Sequence, residues 1–469
     1  MSINWNSIVK AYDVRGLVGI DLTAEVVEAI AAAFVDVIGL AGHNVVIGHD
    51  MRVSSPEFAA AFCAGVTARG ANAIMLGLCS TDECYFASGQ LNSASAMFTA
   101  SHNSSAYNGI KLSRAGARAI SLETGLADIR ELAAEYLEHG FEAAQSPGTT
   151  SSHSPLRDYA NFLRQMVDLS NIRPLRVVVD AANSMGGHTT PAVLANAAGL
   201  GQLPIEIIEL YFELDGTFPN HDPNPLDAKN LVDLQAAVVL HQADLGIAFD
   251  GDADRCFVVD ELGQLVSPST IAAIVAVREI ERVKAIGENE PKVLYGHLTS
   301  RRFAETALAH GAQVDRTRVG HSFIKTQMAQ TNAVFGAEHS AHYYFRDFWF
   351  ADSGMLAAMH VMKALGSNNQ TMSALAASYP SFPSSGEINR VVQDVKAVIA
   401  RVESVFAQGD AVIEAFDGLT VSSTSASGDW WWFNLRSSNT EPVLRFNAEA
   451  QSQAMLKQIM GDVLAVIQS

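Results

Sequence analysis

The sequence predicts an α/β protein of several domains with a smaller α+β domain at its end. Apolar, β-branched runs are each followed by small or glycine-containing turns and then by a stretch with helical periodicity. This unit starts near residues 44, 176 and 292, so it recurs at intervals of a little over 100 residues. At roughly 100–200 residues per domain, a chain of 469 residues suits three or four domains.

The three predicted strands share one pattern, an uninterrupted apolar run that ends in a turn. Such runs are typical of strands buried on both faces of a mostly parallel sheet. They therefore predict three related α/β domains. The runs, each with the residue that follows it, are Asn44–Ile47 before Gly48, Arg176–Val179 before Asp180, and Lys292–Tyr295 before Gly296.

The last part of the chain has a different pattern. A helical stretch, Val391–Phe406, precedes short strands with Ser, Thr and Gly turns and a terminal helix, which predicts a smaller α+β domain. Polar or Pro-rich linkers at Gln145–Pro155 and Gly366–Gly386, and a turn at Asp260–Gly263, mark the breaks. The predicted domains are 1–152, 153–262, 263–378 and 379–469.

Composition narrows the class of function. The net charge of −19 argues against a nucleic-acid or anionic-membrane partner, which would favour a basic surface. We expect a cytoplasmic protein without a signal peptide, because the early apolar stretch Val26–Leu40 carries Glu28 and Asp36 and suits an amphipathic helix. The four cysteines have no metal-binding spacing and are expected to be reduced thiols.

The first candidate motif is Thr99–Asn103, which follows the apolar run Ala96–Phe98. A serine on a turn after a strand can present its hydroxyl to a cleft, and His102 and Asn103 can hydrogen-bond that hydroxyl or a phosphate on it. Lys111 lies close enough in sequence to return to the same site. The alternative is an ordinary polar turn closed by Ser and Thr side chains.

The second motif is an acidic turn in which Asp250, Asp252 and Asp254 alternate with small residues and precede Arg255. Three carboxylates this close repel one another unless a cation neutralises them, and oxygen ligands suit Mg²⁺ or Ca²⁺. An EF-hand loop would place Glu261 at its twelfth position, but its sixth position requires Gly and here is Arg255. A solvated acidic turn without metal is the other alternative.

The third and fourth motifs are suited to binding. Glu338, Ser340 and His342 alternate along one segment, a pattern that can hydrogen-bond adjacent sugar hydroxyls, although a structural histidine is the alternative. The segment 436–442 combines a guanidinium, hydroxyls and an amide in one turn, with Arg445 just beyond. That donor set favours a phosphate, and the alternative is a polar hairpin turn. Arg15, Arg52 and His321 are further candidates in similar turns, each more often structural.

Each motif occurs once, in this order, and together they resemble the α-D-phosphohexomutase family over essentially the whole chain. The resemblance implies four domains around a central cleft, of which the first three share an α/β core and the fourth closes the site. It also implies that Ser101 carries a phosphoryl group. Mg²⁺ would be held by Asp250, Asp252, Asp254 and a phosphoserine oxygen.

The resemblance further implies a division of roles among the candidate residues. The catalytic residues would be Ser101, Lys111, His321, Arg15, Arg255 and His102. The substrate-binding residues would be Glu338, Ser340 and His342 at the sugar, and Arg436, Ser438, Asn439 and Thr440 at the phosphate that does not react.

Tyr343–Phe348 resembles the phosphomannomutase/phosphoglucomutase branch of bacteria. The expected reaction interconverts mannose 1-phosphate and mannose 6-phosphate through hexose 1,6-bisphosphate, which would also be the activator. A phosphoglucomutase or a dual-specificity enzyme stays open, as does a metal-dependent phosphatase with a serine nucleophile. We expect a small-molecule hexose phosphate as partner and a monomer or homodimer. Ser104 replaces the usual Pro of the serine loop, and His297 stands where some relatives have a basic residue.

Overall fold

The computed structural model describes residues 3–437 and 443–468, and four β-sheets follow one another along these residues. The first sheet has the order β1-β5-β4-β2-β3-β7, with β6 beside β5. Its strands are β1 (Val14–Leu17), β2 (Asn44–His49), β3 (Asn72–Leu78), β4 (Ala94–Phe98), β5 (Tyr107–Arg114), β6 (Arg118–Ala119) and β7 (Thr150–Ser152). Its helices are α1 (Trp5–Ile8), α2 (Ala24–Ile38), α3 (Ser55–Ala68), α4 (Thr81–Gln90) and α5 (Leu126–His139), and a 3₁₀ turn spans Leu122–Thr124.

The second sheet has the order β12-β11-β10-β8-β9. Its strands are β8 (Leu175–Asp180), β9 (Ile205–Leu210), β10 (Leu245–Phe249), β11 (Cys256–Asp260) and β12 (Leu265–Val266). The helices beside it are α6 (Leu156–Met166), α7 (Gly186–Val193) and α8 (Val232–Leu240), with a 3₁₀ turn at Ala228–Leu231.

The third sheet has the order β14-β13-β15-β16-β17. Its strands are β13 (Lys292–Gly296), β14 (Gln313–Thr317), β15 (Phe335–Ala337), β16 (Tyr343–Phe345) and β17 (Ala351–Asp352). Its helices are α9 (Pro268–Ala285), α10 (Arg301–Ala309), α11 (His321–Thr331), α12 (Gly354–Gly366) and α13 (Met372–Ala377), with a 3₁₀ turn at Arg346–Phe348.

These three sheets share one core arrangement, as predicted. In the second sheet β8 lies parallel to both β9 and β10, and β11 and β12 then continue antiparallel. The third sheet repeats this with β13 between β14 and β15, followed by β16 and β17. The first sheet repeats it with β2 between β3 and β4, followed by β5 and β6.

Burial explains why the sequence pattern identified these strands. Every residue of β10 is buried, as expected for a strand covered on both faces. The predicted early helix is α2, which Thr23 caps at its start and Gly39 ends in a left-handed conformation with φ 75°. Asp36 lies on its less buried side and pairs with Arg69 at 2.9 Å.

The fourth sheet is fully antiparallel and smaller, which agrees with the predicted α+β domain. Its order is β18-β22-β21-β20-β19, with strands β18 (Ile388–Arg390), β19 (Val412–Glu414), β20 (Leu419–Thr424), β21 (Trp430–Ser437) and β22 (Leu444–Ala450). Helices α14 (Val395–Phe406) and α15 (Gln453–Gln468) pack on it and complete a separate hydrophobic core. The helix predicted from Val391 begins only at Val395, because Asp394 caps it by accepting the Ala397 amide at 3.0 Å.

The first three domains share hydrophobic contacts that fix their relative positions. Phe162 of α6 stacks on Trp349 with ring centroids 5.4 Å apart, and Phe86 of α4 meets Trp349 edge-on at 6.0 Å. A Cβ atom on Gly89 would lie 2.2 Å from the Trp349 ring, so this close approach requires glycine. These contacts between the three domains therefore also hold the loops at the ends of their sheets in position relative to one another. Within the described residues, no helix has both the length and the apolar character needed to cross a membrane.

Candidate active site

Ser101 lies on the turn that follows β4 and is buried. Its backbone has φ 48°, a left-handed conformation that is uncommon for a non-glycine residue and is often found at functional sites. The Ser101 hydroxyl donates to Oδ2 of Asp250 at 2.7 Å, and Nη2 of Arg255 lies 3.4 Å from the same oxygen. The hydroxyl of the first motif thus faces the acidic turn of the second.

The acidic turn follows β10, and its three aspartates converge. One carboxylate oxygen from each of Asp250, Asp252 and Asp254 lies within 4.8 Å of the others. The EF-hand alternative is wrong, because a strand precedes the turn and Glu261 accepts the Ser373 amide at 2.9 Å. The turn therefore presents its carboxylates to the serine loop.

Lys111 on β5 also points into this cluster. Its Nζ atom lies 2.6 Å from Asp252 and 2.5 Å from Asp254. Burial alone would lower the pKa of Lys111, but these two carboxylates raise it well above its usual value. Burial also acts to raise the pKa of Asp252, yet Lys111 outweighs it and the pKa is lowered. Lys111 is therefore a cation in the folded protein.

The acidic cluster has the donor atoms to hold a divalent cation. Burial raises the pKa of Asp250 to about 7, and the Arg255 guanidinium opposes that effect. Oδ1 of Asp252 and Oδ1 of Asp254 are buried and accept no hydrogen bond within the described residues. A buried carboxylate oxygen without a partner is costly, so a hard cation would satisfy both atoms.

Arg15 and His102 contact the serine loop. Arg15 donates to Oδ1 of Asn103 at 2.7 Å and to Asp13 at 2.7 Å, which ties it to the serine loop. Nδ1 of His102 lies 3.3 Å from the Ser101 hydroxyl. Burial, with the charges of Arg255 and Arg15, lowers the pKa of His102 well below its usual value, so that its ring is neutral at pH 7.

The third motif lies directly against the acidic turn. A backbone bridge pairs Arg255 with His342, and Nε2 of His342 lies 3.6 Å from Asp254. Ser340 and His342 are within hydrogen-bond distance at 2.9 Å, and burial lowers the pKa of His342 to about 3. Glu338 is held by the Tyr344 hydroxyl at 2.6 Å. These three predicted sugar-binding residues are thus brought together.

His321 is the first residue of α11 and lies beside this loop. Its ring meets the Tyr12 ring edge-on at 4.4 Å, and the preceding Gly320 amide donates to Glu338 at 2.8 Å. Neither ring nitrogen has a hydrogen-bond partner within residues 3–437 and 443–468. Burial, followed by the charge of Lys325, lowers the pKa of His321 well below its usual value. His321 is therefore a neutral imidazole with both nitrogens available.

Arg436 lies near the end of β21 and is the predicted phosphate-binding residue of the fourth motif that falls within the described residues. Nη2 of Arg436 lies 2.9 Å from Glu387, which also pairs with Arg445 at 3.1 Å. Burial raises the pKa of Glu338, and the charge of Arg436 is the smallest of the named effects on that carboxyl, one that lowers its pKa. The predicted phosphate-binding residues Ser438, Asn439 and Thr440 lie outside the described residues.

Two groups of residues at the site were not assigned roles from the sequence. Thr81, the first residue of α4, donates its hydroxyl to Asp252 at 2.6 Å. Lys325 is buried, pairs with Asp352 at 2.6 Å, and lies 3.8 Å from the centre of the Tyr85 ring. No sequence pattern marked Thr81, because its contact depends on packing between two domains.

Comparison with known proteins agrees with this arrangement. Models of the phosphoglucomutase/phosphomannomutase family match in succession: α/β/α domain I at residues 6–139, domain II at 157–263, domain III at 267–382 and the C-terminal domain at 387–466. A phosphomannomutase of Escherichia coli is 36% identical over 464 residues, covering 98% of each chain. A protein of Xanthomonas campestris named for phosphohexose mutases is 38% identical over 95% of this chain and 96% of its own.

A crystal structure of a family member from Burkholderia thailandensis superposes with a TM-score of 0.85 at 29% identity, covering 99% of this chain and 97% of that one. Four successive domains with a serine loop facing an acidic cluster define a phosphoryl-transfer enzyme. The chain belongs to the phosphoglucomutase/phosphomannomutase family, within the α-D-phosphohexomutases. It is a phosphohexomutase, an isomerase of carbohydrate metabolism that acts as an intramolecular phosphotransferase.

Proposed function

We propose that the enzyme interconverts mannose 1-phosphate and mannose 6-phosphate, with Ser101 as the phosphoryl carrier. One observation carries the proposal: the Ser101 hydroxyl lies 2.7 Å from Asp250 with the Arg255 guanidinium beside it at 3.4 Å. Phosphoryl transfer depends chiefly on positioning and on stabilising negative charge. A hydroxyl between a carboxylate and a guanidinium suits both needs.

The proposed reaction has two transfers in opposite directions. Phosphorylated Ser101 gives its phosphoryl group to the free sugar hydroxyl, so that the P–Oγ bond breaks and a bond from phosphorus to the sugar oxygen forms. The sugar hydroxyl loses its proton, and Oγ of Ser101 gains one. The resulting hexose 1,6-bisphosphate turns around and returns its other phosphoryl group to Ser101 by the reverse steps.

The pKa shifts favour different roles for His321 and Lys111, two of the expected catalytic residues. His321 is neutral and can accept the proton of the sugar hydroxyl. Lys111, whose pKa is raised, stays cationic and stabilises negative charge beside Ser101. Arg15, held at the serine loop through Asn103, would add further positive charge, and His102 would hydrogen-bond the phosphoryl group.

We propose Mg²⁺ as the cofactor, held by Asp250, Asp252, Asp254 and a phosphoserine oxygen. When bound, Mg²⁺ neutralises charge on the phosphoryl group in transfer. The buried oxygens of Asp252 and Asp254 that accept no hydrogen bond within the described residues support this ligand set.

Sugar and phosphate would bind on opposite walls of the site. Glu338, Ser340 and His342 lie next to Asp254 and would face the O3 and O4 hydroxyls. Arg436, with Ser438, Asn439 and Thr440, would hold the phosphate that does not react. Such a pair of sites would accept the sugar in either orientation, which the reaction requires because the bisphosphate must reorient between the two transfers. Hexose 1,6-bisphosphate would also serve as activator by phosphorylating unmodified Ser101.

The names of relatives favour mannose, since the relative from Escherichia coli is named a phosphomannomutase. A dual-specificity enzyme is the second candidate, because the Xanthomonas campestris relative is named for phosphohexose mutases in general. Glucose and mannose differ at C2, so a site that reads O3 and O4 would accept both. Family membership argues against the phosphatase alternative.

A coupled assay with mannose 1-phosphate and glucose 1-phosphate tests the proposal in the presence of Mg²⁺ and a trace of hexose 1,6-bisphosphate. We expect the 6-phosphate of mannose to form faster. Equal rates would favour the dual-specificity enzyme, and release of inorganic phosphate in step with substrate loss would favour the phosphatase. Ser101→Ala should remove turnover, and near-normal turnover in this variant would exclude Ser101 as the carrier.

A further inference from the structure

We propose that Arg52 is a positioning residue that sets the conformation of the Ser101 loop, an inference that rests on the proposed role of Ser101 as carrier. Arg52 follows β2 and is 2% exposed. Its guanidinium donates to four backbone carbonyls of that loop. The acceptors are Ser101 at 2.9 Å, Asn103 at 2.7 Å, Ser104 at 2.7 Å and Tyr107 at 3.0 Å.

Every N–H donor of this guanidinium has an acceptor. Nη2 donates to the carbonyls of Ser101 and Asn103, and Nη1 donates to those of Ser104 and Tyr107. Nε donates to the Asp50 carboxylate at 3.2 Å. An arginine offers five donors in a rigid plane, so the acceptors must keep fixed positions around it. A lysine has one nitrogen and cannot reach both pairs of carbonyls at once.

Two further contacts hold the guanidinium itself in place. Asp50 is buried and receives both the Arg52 amide at 3.0 Å and the Ser55 hydroxyl at 2.6 Å, which fixes its carboxylate. From the second domain, the Phe218 ring lies 5.0 Å from the guanidinium carbon. A Cβ atom on Gly216 would lie 2.7 Å from the Arg52 backbone, so this segment approaches closely.

The contact between Arg52 and Phe218 connects the first domain, which carries the serine loop, with the second domain, which carries the acidic turn. The second domain supplies the acidic turn, and it also covers the arginine that shapes the serine loop. Arg52 therefore fixes the serine loop at the boundary with the domain that carries Asp250. This position suits a residue that aligns Ser101 Oγ with the acidic turn rather than one that only stabilises the first domain.

The carbonyl contacts also decide where the amides of the loop point. In a trans peptide the C=O and the following N–H point in opposite directions. Because the Ser101 carbonyl points to Arg52, the His102 amide points away from it. Within the described residues that amide donates to no acceptor. The His102 amide is thus directed away from Arg52, and we infer that it donates to a phosphoryl group on the neighbouring Ser101.

The test measures phosphoryl transfer onto Ser101 separately from folding. Dephosphorylated wild-type protein, Arg52→Lys and Arg164→Lys are incubated with glucose 1,6-bisphosphate that carries radioactive phosphorus, and the rate of Ser101 labelling and the Tm are recorded. Arg164 is the matched control, because it donates to the carbonyls of Val193, Ala195 and Gly201, far in sequence from any candidate site residue.

We expect Arg52→Lys to lower the maximal labelling rate about 100-fold, as for a reacting group displaced by around 1 Å, with the KM for the bisphosphate nearly unchanged. Arg164→Lys should lower the Tm yet label at the wild-type rate. Wild-type labelling by a folded Arg52→Lys protein would overturn the inference. If wild-type protein takes up no label and Ser101→Ala stays active, the carrier assignment itself fails, which is a distinct outcome.

If Arg52→Lys does not fold, Phe218→Leu decides the matter. Leucine keeps Arg52 but removes one of the contacts that hold its guanidinium in place, so the hydrogen bonds from Arg52 to the loop should lose their fixed geometry. We expect slower labelling than in wild-type protein at the same bisphosphate concentration. An unchanged labelling rate in this variant would overturn the inference.

Discussion

The acidic turn and the serine loop touch through their backbones: a Cβ atom on Gly251 would lie 2.2 Å from the carbonyl oxygen of Ser101. No side chain fits between these two segments, so glycine is required for the short distance from the Ser101 hydroxyl to Asp250. In the sequence, Gly251 is only one of the small residues that alternate with the three aspartates. The structure assigns it to the contact between the first and second domains.

Gly251→Ala should therefore separate the two loops. The added methyl group must displace the Ser101 backbone, and a shift of about 1 Å at a reacting group can lower kcat about 100-fold. We expect kcat to fall with a lower Tm, since overpacking typically costs about 1–3 kcal/mol. Gly461→Ala is the matched control, because a Cβ atom there meets nothing within 4 Å. Equal activity of both variants would contradict the close approach.

Thr81→Val should weaken metal binding without removing a proposed ligand. The Thr81 hydroxyl orients Asp252 at 2.6 Å, and loss of such a partner typically lowers metal affinity about 10–100-fold. Isothermal titration of Mg²⁺ into protein treated with chelator measures the effect directly, and activity should return at a higher Mg²⁺ concentration than in wild-type protein. Thr81→Ser keeps the hydroxyl and should bind Mg²⁺ normally. Unchanged affinity in Thr81→Val would exclude an orienting role.

Asp82 should make stability depend on pH. It accepts hydrogen bonds from Tyr159 of the second domain at 2.7 Å and from Ser353 of the third at 2.6 Å. Burial raises its pKa to about 7 in spite of these bonds, whereas an unfolded chain has a carboxyl pKa of about 3.9. Between these values the folded state binds the extra proton. The stabilisation that protonated Asp82 contributes is therefore complete below about pH 4 and is lost as the pH rises through about 7.

The comparison with Asp82→Asn, which is uncharged at every pH, isolates this effect. We expect the Tm of wild-type protein to fall relative to that of the variant between pH 5 and pH 8, with chelator present so that metal binding does not contribute. Between the two pKa values, the free energy of unfolding should fall by about 1.4 kcal/mol per pH unit. A Tm difference that does not change with pH would show that Asp82 has the same charge in both states.

The sequence allowed the strands to be predicted better than the contacts between domains. The run Asn44–Ile47 lies within β2, because a buried strand needs a continuous apolar run that is visible in the sequence. The meeting of Ser101 with Asp250, 149 positions apart, has no periodic signal and was expected only through the family resemblance. The contacts of Arg52 and Thr81 depend on the same kind of packing between segments, so the sequence marked Arg52 only as a further candidate without a role and did not mark Thr81. The predicted domain bounds stay predictions, although β12 carries the second sheet to residue 266.

Glu387 competes with the proposed phosphate for Arg436. Its carboxylate lies 2.9 Å from Arg436 and 3.1 Å from Arg445, so it neutralises charge that a phosphate dianion would use. Glu387→Gln should therefore lower the KM for the hexose phosphate, by up to about fivefold, as expected for a partly exposed ion pair. The change should be in KM and not in kcat, because the phosphate at this site does not react.

The matched control is Glu414→Gln, which breaks an ion pair of 2.7 Å with Arg316 between the third and fourth domains. If loosening of the fourth domain were the cause, both variants would change KM alike. If Glu387 acts by competing for the arginine, only Glu387→Gln lowers KM, and added salt reduces the difference because it screens the exposed charges. A raised KM in Glu387→Gln would instead mean that Glu387 orients Arg436 for the phosphate.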